Sequence, residues 1–175
     1  MSKHREATSD VLSRPLASLV VPEVRAEARP EVVRTWDLAE RDREILIECG
    51  LPTMEQCRLV PHVQEDLLPG LASSRGLAYG LGSFAQYVVG ALASSGEVIG
   101  VPRTAHSTEA YISSSVAQYV EMMWRWYWIS QILEPLSFGL EQYDVVDDFL
   151  EFAIRLDPAI ESADGTLWPD FIQDQ

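Results

Sequence analysis

Cysteine and histidine are both scarce. Only Cys49 and Cys57 occur among 175 residues, with histidine confined to His4, His62 and His106. Two thiols exclude a disulfide-dense scaffold. The spacing of these five residues matches neither an HExxH pair nor a cysteine–histidine zinc site. Long apolar runs are missing too: nothing approaches the roughly 20 residues that cross a bilayer. The opening Met1-Ser2-Lys3-His4-Arg5-Glu6 leads into no apolar stretch with a small-residue cleavage site, so a cytoplasmic protein with reduced thiols is expected. Positive charge is also in short supply, with 13 basic against 27 acidic residues and a net charge of −14. Such a surface disfavours direct binding to nucleic acid or anionic lipid, and it attracts basic proteins by long-range steering. Solubility alone is the plainer reading of the same charge.

Catalytic constellations are absent as well. There is no GxSxG elbow, no Walker loop and no glycosidase-like carboxylate arrangement. Gly80-Leu81-Gly82-Ser83-Phe84-Ala85 matches GxGxx[G/A], but a β-like run follows it. A dinucleotide loop needs a helix opening there, so that backbone N–H groups and the helix dipole meet the phosphates. Glycines in a strand connection explain the segment better. Cys49 reads as a buried helix residue, and Cys57 has only Arg58 beside it to activate a thiol. No catalytic residue, metal site or cofactor is expected, and the chain reads as a binding protein, not an enzyme.

What is present is a full-sized core. The apolar fraction of 47% and charged fraction of 23% suit one globular domain. Residues 1–32, with Pro15, Pro22 and Pro30, lack a clear period and read as a peripheral or mobile arm, with a short helix around Asp10–Leu19 interrupted by Pro15. The binding domain is then 33–175. A helix is expected over Leu38–Cys49, with Asp37 and Glu40 as a capping box. Gly50 supplies a left-handed stop, Leu51 folds back on Leu46, and Pro52 forbids continuation. Residues 53–75 read as a long connection with a short strand near Arg58–Val63. Leu77–Leu81, Gln86–Leu92 and Val98–Val101 read as strands, with Ser94-Ser95-Gly96-Glu97 as a turn and Gly90 marking a bulge or close packing.

Two helices follow. The first, from Ser113 or Ser114 to Leu133, carries Val116, Val120, Met123 and Tyr127 on a narrow arc, flanked by Trp124 and Trp128 on one side and by Tyr119 and Trp126 on the other. Core packing accounts for most of these rings. Trp126 points away from Trp124 and Trp128, however, so it is expected to reach the surface, where tryptophan is enriched in binding hot spots. The second helix, Glu141–Leu156, turns Val145, Val146, Phe149 and Ala153 inward and Asp144, Asp147, Asp148 and Glu151 mostly outward. Residues 141–175 hold ten acids and one base, a net of −9, whereas the first 35 residues are close to neutral. These carboxylates lack the loop glycine and alternating ligands of a calcium loop. Asp144, Asp147, Asp148, Glu151 and Trp126 are therefore the candidate partner-binding residues.

The order of short motifs resembles the SUKH superfamily, in particular its fourth group of immunity proteins. The elements are Gly50-Leu51-Pro52 after the first helix, glycine-bearing strands at Tyr79–Gly82 and Tyr87–Gly90, the Ser95-Gly96-Glu97-Val98 turn, Ile112-Ser113-Ser114-Ser115 before the long helix, and Trp168-Pro169 near the end. Ser113 stands where that group has asparagine, and Ser95 where it has threonine. The resemblance spans roughly residues 33–172. It implies an α+β fold, a single domain with a mostly antiparallel twisted β-sheet flanked by helices. It also implies that the protein neutralises a toxin, often a nuclease or deaminase, by covering its active site, and it transfers no catalytic residues. The expected partner is thus a protein toxin or other basic protein, met by a monomer or weak dimer. A regulatory or scaffolding module for an endogenous partner, and a small-ligand or nucleotide sensor, are the alternatives.

Overall fold

The computed structural model describes residues 3–26, 29–53, 70–84, 86–104, 107–136, 139–163 and 165–168. The chain opens with α1 (Lys3–Ser13), 3-10 turns at Leu16–Ser18 and Pro22–Val24, β1 (Arg25–Ala26), α2 (Pro30–Val33) and α3 (Glu40–Cys49). Then come β2 (Leu51–Pro52), β3 (Leu71–Ser73), β4 (Gly76–Phe84), β5 (Tyr87–Leu92), β6 (Val98–Pro102) and β7 (Ala110–Ser113). The last elements are α4 (Val116–Leu133), α5 (Leu140–Leu156) and α6 (Ala159–Ser162). Strands β3 to β7 form one antiparallel meander in chain order, and β1 pairs with β2 as a separate two-stranded ribbon. The fold is α+β. The strand expected near Arg58–Val63 lies outside the described residues.

The meander is short-range in sequence because each strand pairs with the next one along the chain. In β5 and β6 the alternation of side chains sends Val89, Ala91 and Val98 into the main core, while Leu92 and Ile99 join Ala78 in a smaller second cluster. Gly80 and Gly90 pair across β4 and β5, and the register slips between Gly80 and Gly82. The glycine-rich segment is thus a bulge inside β4, not a connection between strands. A side chain at Gly90 would press on Ala78, 3.1 Å away.

Helix α4 is the centre of the molecule. Val116, Tyr119, Val120, Met122, Met123, Trp124, Trp126, Ile129 and Leu133 are all buried, which is the pattern of a helix surrounded on most sides. Its start is fastened twice. The Ser115 hydroxyl accepts the Gln118 N–H at 3.2 Å, and the Asp42 carboxylate of α3 accepts the Ala117 N–H at 2.8 Å. An anion at this end also meets the positive pole of the helix dipole. Gly96 allows the approach: its φ is +73°, and a Cβ there would lie 2.6 Å from the Asp42 carboxylate.

Around α3 the helix stops at Gly50 as expected, although Gly50 takes φ +58° with ψ −161° instead of a left-handed helical conformation and Leu51 enters β2; the expected beginning is absent. Gly50 donates its N–H to the Leu46 carbonyl at 3.0 Å. Its missing side chain also makes room for the Ala26 carbonyl, so β1 can lie against it. The N-cap is Ala39, without a side-chain bond, so the Asp37–Glu40 capping box does not form. Asp37 is used elsewhere: its carboxylate accepts the Ser94 hydroxyl at 2.5 Å, which docks the β5–β6 turn beside Trp36 and Tyr79. Those two rings stack at 4.8 Å. Tertiary demand for the carboxylate outweighs a cap worth about 1 kcal/mol.

The N-terminal segment is the largest departure from expectation. Helix α1 spans residues 3–13, earlier than expected, and packs on α4 and α5. Val11 and Leu19 sit in the main core. The buried Arg125 of α4 donates to the Val11 carbonyl at 2.6 Å and to the Arg14 carbonyl at 3.0 Å, while Trp128 donates to the Leu19 carbonyl at 2.8 Å. Residues 3–26 are therefore an integral layer, not a peripheral or mobile arm. Proline still acts as read: Pro15 ends the regular helix.

Cys49 is a free, buried thiol, and burial, with Glu48 nearby, pushes its pKa up. In a Cys57→Ser variant, a thiol reagent is expected to label Cys49 only after unfolding. Labelling of the native protein within seconds would show that this side of α3 opens readily.

Candidate partner-binding site

The outer face of α5 is built by what its inner face does. Val145, Phe149 and Ala153 are fully buried at intervals of four residues. The Phe149 ring lies 4.9 Å from Trp126 and 5.6 Å from Trp168. Burying a side chain of this size contributes about 1.5–3 kcal/mol, so the helix has one rotational setting about its axis. At the C-terminal end the buried Asp157 carboxylate fixes its position. It accepts from the Tyr111 hydroxyl at 2.8 Å and from the Ser114 N–H and hydroxyl at 2.7 Å each. Burial is the main reason the Tyr111 phenol is held above its ordinary pKa; the Ser114 hydroxyl opposes that shift and the Asp157 carboxylate adds to it. The phenol therefore stays a donor to Asp157.

With that setting, Asp144, Asp147 and Glu151 project into solvent along one stripe. Asp148 turns toward α1 instead. Its carboxylate takes a two-pronged contact from Arg5, at 3.1 and 2.9 Å. Asp148 raises the pKa of the Arg5 guanidinium, and the charges of Asp144 and Glu151 add to the effect. Glu141 lies 4.0 Å from His4, also on α1. Glu151 has Arg155 at 3.9 Å, but both side chains are mostly exposed and the pair is weak.

The candidate residues thus separate. Asp144, Asp147 and Glu151 share an open face, and Asp148 is committed to an intramolecular pair. Trp126 is fully buried, so the expected surface indole does not exist. Helical spacing does turn Trp126 away from Trp124, but α5 covers that side of α4. Trp124 is buried on another side, donating to the Gly50 carbonyl at 3.1 Å. Asp157, which the charge count places in the acidic tail, is only 1% exposed and is structural.

Two residues of this face escaped the sequence reading. Leu140 and Tyr143, in the first turn of α5, are 84% and 51% exposed. Their signal was available. At 100° per residue Leu140 falls about 140° from Val145, well off the inner stripe. Among the described residues, no three histidine, cysteine or acidic side chains converge to hold a metal, and no helix is long and apolar enough to cross a membrane.

A family model described as SUKH-4 immunity protein matches residues 11–174. The match begins inside α1 and takes in the part of the N-terminal layer from Val11 onward. No curated protein and no solved structure matches the chain.

Proposed function

Because the chain belongs to the SUKH-4 immunity protein family, we propose that it binds and blocks a basic protein toxin through the outer face of α5. The family carries the immunity-type function. The supporting observation for the surface is the stripe of exposed carboxylates at Asp144, Asp147 and Glu151 on a helix whose orientation the core sets. A nuclease or deaminase acting on a polyanion presents cationic side chains around its active site, and this stripe matches them in sign. Close charge pairs at such interfaces couple by about 1.5–7 kcal/mol, and rim charges govern the association rate. The protein acts in the cytoplasm by occlusion, without catalysis of its own.

The test is kinetic. The variant Asp144→Asn, Asp147→Asn, Glu151→Gln is measured against the catalytically inactivated domain of its candidate cognate toxin, a basic nuclease or deaminase. Its association rate is expected to fall about tenfold at low ionic strength, with a flatter salt dependence. An unchanged rate and an unchanged salt slope would show that the toxin is met by another surface.

A further inference from the structure

Leu140 and Tyr143 are two of the three exposed large hydrophobic residues among those described, the third being Leu77 on β4. One exposed leucine is ordinary on a protein surface. Here a leucine and a tyrosine stand three residues apart on one helix, directly before Asp144 and Asp147 on the same outward face. Residues at this spacing are neighbours on a helix surface. An apolar tip beside a carboxylate stripe gives this face two kinds of contact to offer a partner.

We infer that Leu140 and Tyr143 form an apolar anchor that inserts into a recess on the basic toxin, between the cationic groups that the carboxylates meet. This rests on the proposed function and names the residues that hold the complex once it has formed. The division of labour follows from the physics. Charges act over about 8–10 Å and speed the encounter, whereas an apolar side chain contributes only after water is excluded and so acts on dissociation. Tyrosine suits the role because it brings large area with little rotamer freedom to lose. The helix that carries the anchor is positioned before the partner arrives, since buried Val145 and Phe149 seat α5 on the core.

The experiment compares Leu140→Ser, Tyr143→Ala and, as a control, Leu77→Ala, each with confirmed thermal stability, on the same inactivated toxin domain. Leu140→Ser and Tyr143→Ala are each expected to raise the dissociation rate tenfold or more, with association rate and salt slope unchanged. Leu77→Ala is expected to change neither rate. Should Tyr143→Ala not fold, Leu140→Ser decides alone, because its side chain is 84% exposed. Unchanged dissociation in the α5 variants, while the carboxylate variant still slows association, would overturn the anchor and leave the proposed function standing. Equal weakening by Leu77→Ala would also overturn it. If the unaltered chain does not bind the toxin domain, the proposed function fails first.

Discussion

Arg125→Ala is expected to destabilise the protein by about 3–5 kcal/mol, the range for breaking one side of a buried ion pair. The side chain of Arg125 is almost wholly buried, yet each of its contacts has a purpose. It pairs with Glu121 at 2.6 Å, lies 4.6 Å over the Phe152 ring, and donates to the carbonyls of Val11 and Arg14. Those carbonyls belong to the C-terminal end of α1, where unsatisfied oxygens collect and a cation is favoured. Removing the guanidinium strands them and leaves the Glu121 carboxylate facing a void. Chemical denaturation with an unchanged slope would report the loss. Hydrogen exchange should show α1 losing protection before α4. A loss under 1 kcal/mol would mean that α1 is held by its apolar contacts alone. The double variant Arg125→Met with Glu121→Leu is expected to cost less than the single alanine change, because neither charge is then left behind.

Asp157→Ala is expected to cost about 3 kcal/mol. One buried carboxylate accepts four hydrogen bonds, the fourth being the Ala159 N–H at 3.3 Å. These join the β7–α4 junction to the α5–α6 junction. Alanine leaves the Ser114 N–H and the Tyr111 hydroxyl without that acceptor. Asp157→Asn retains the shape but can turn an NH2 group toward donors, so it should restore only part of the loss. On the proposed reading that α5 meets the toxin, binding should also weaken beyond what the fall in stability explains, because Asp157 sets the C-terminal position of α5. If the Asn variant were as stable as the native protein, the charge of this carboxylate would not matter to the fold.

The strands β4 to β6, the turn between the last two, and helices α4 and α5 were legible from periodicity and punctuation, because each is stabilised mainly by its own pattern of burial. The candidate face was legible in part. Asp144, Asp147 and Glu151 are open because helical spacing alone turns them from Val145 and Phe149. Asp148 obeys the same spacing, but Arg5, 143 residues away, captures it. Asp37 illustrates the same limit from the other side: its spacing to Glu40 is that of a capping box, but its carboxylate accepts the Ser94 hydroxyl instead.

By itself the sequence determined the α+β class, the central aromatic helix, the acidic C-terminal helix and the family, since these follow from composition, period and the order of short motifs. Only the tertiary structure decided that α1 is part of the core and that Trp126 and Asp157 are buried. The physical reason is common to all of these. Burial and pairing at those positions depend on backbone carbonyls and helix faces brought from distant parts of the chain, and a local pattern carries no record of which neighbour will arrive.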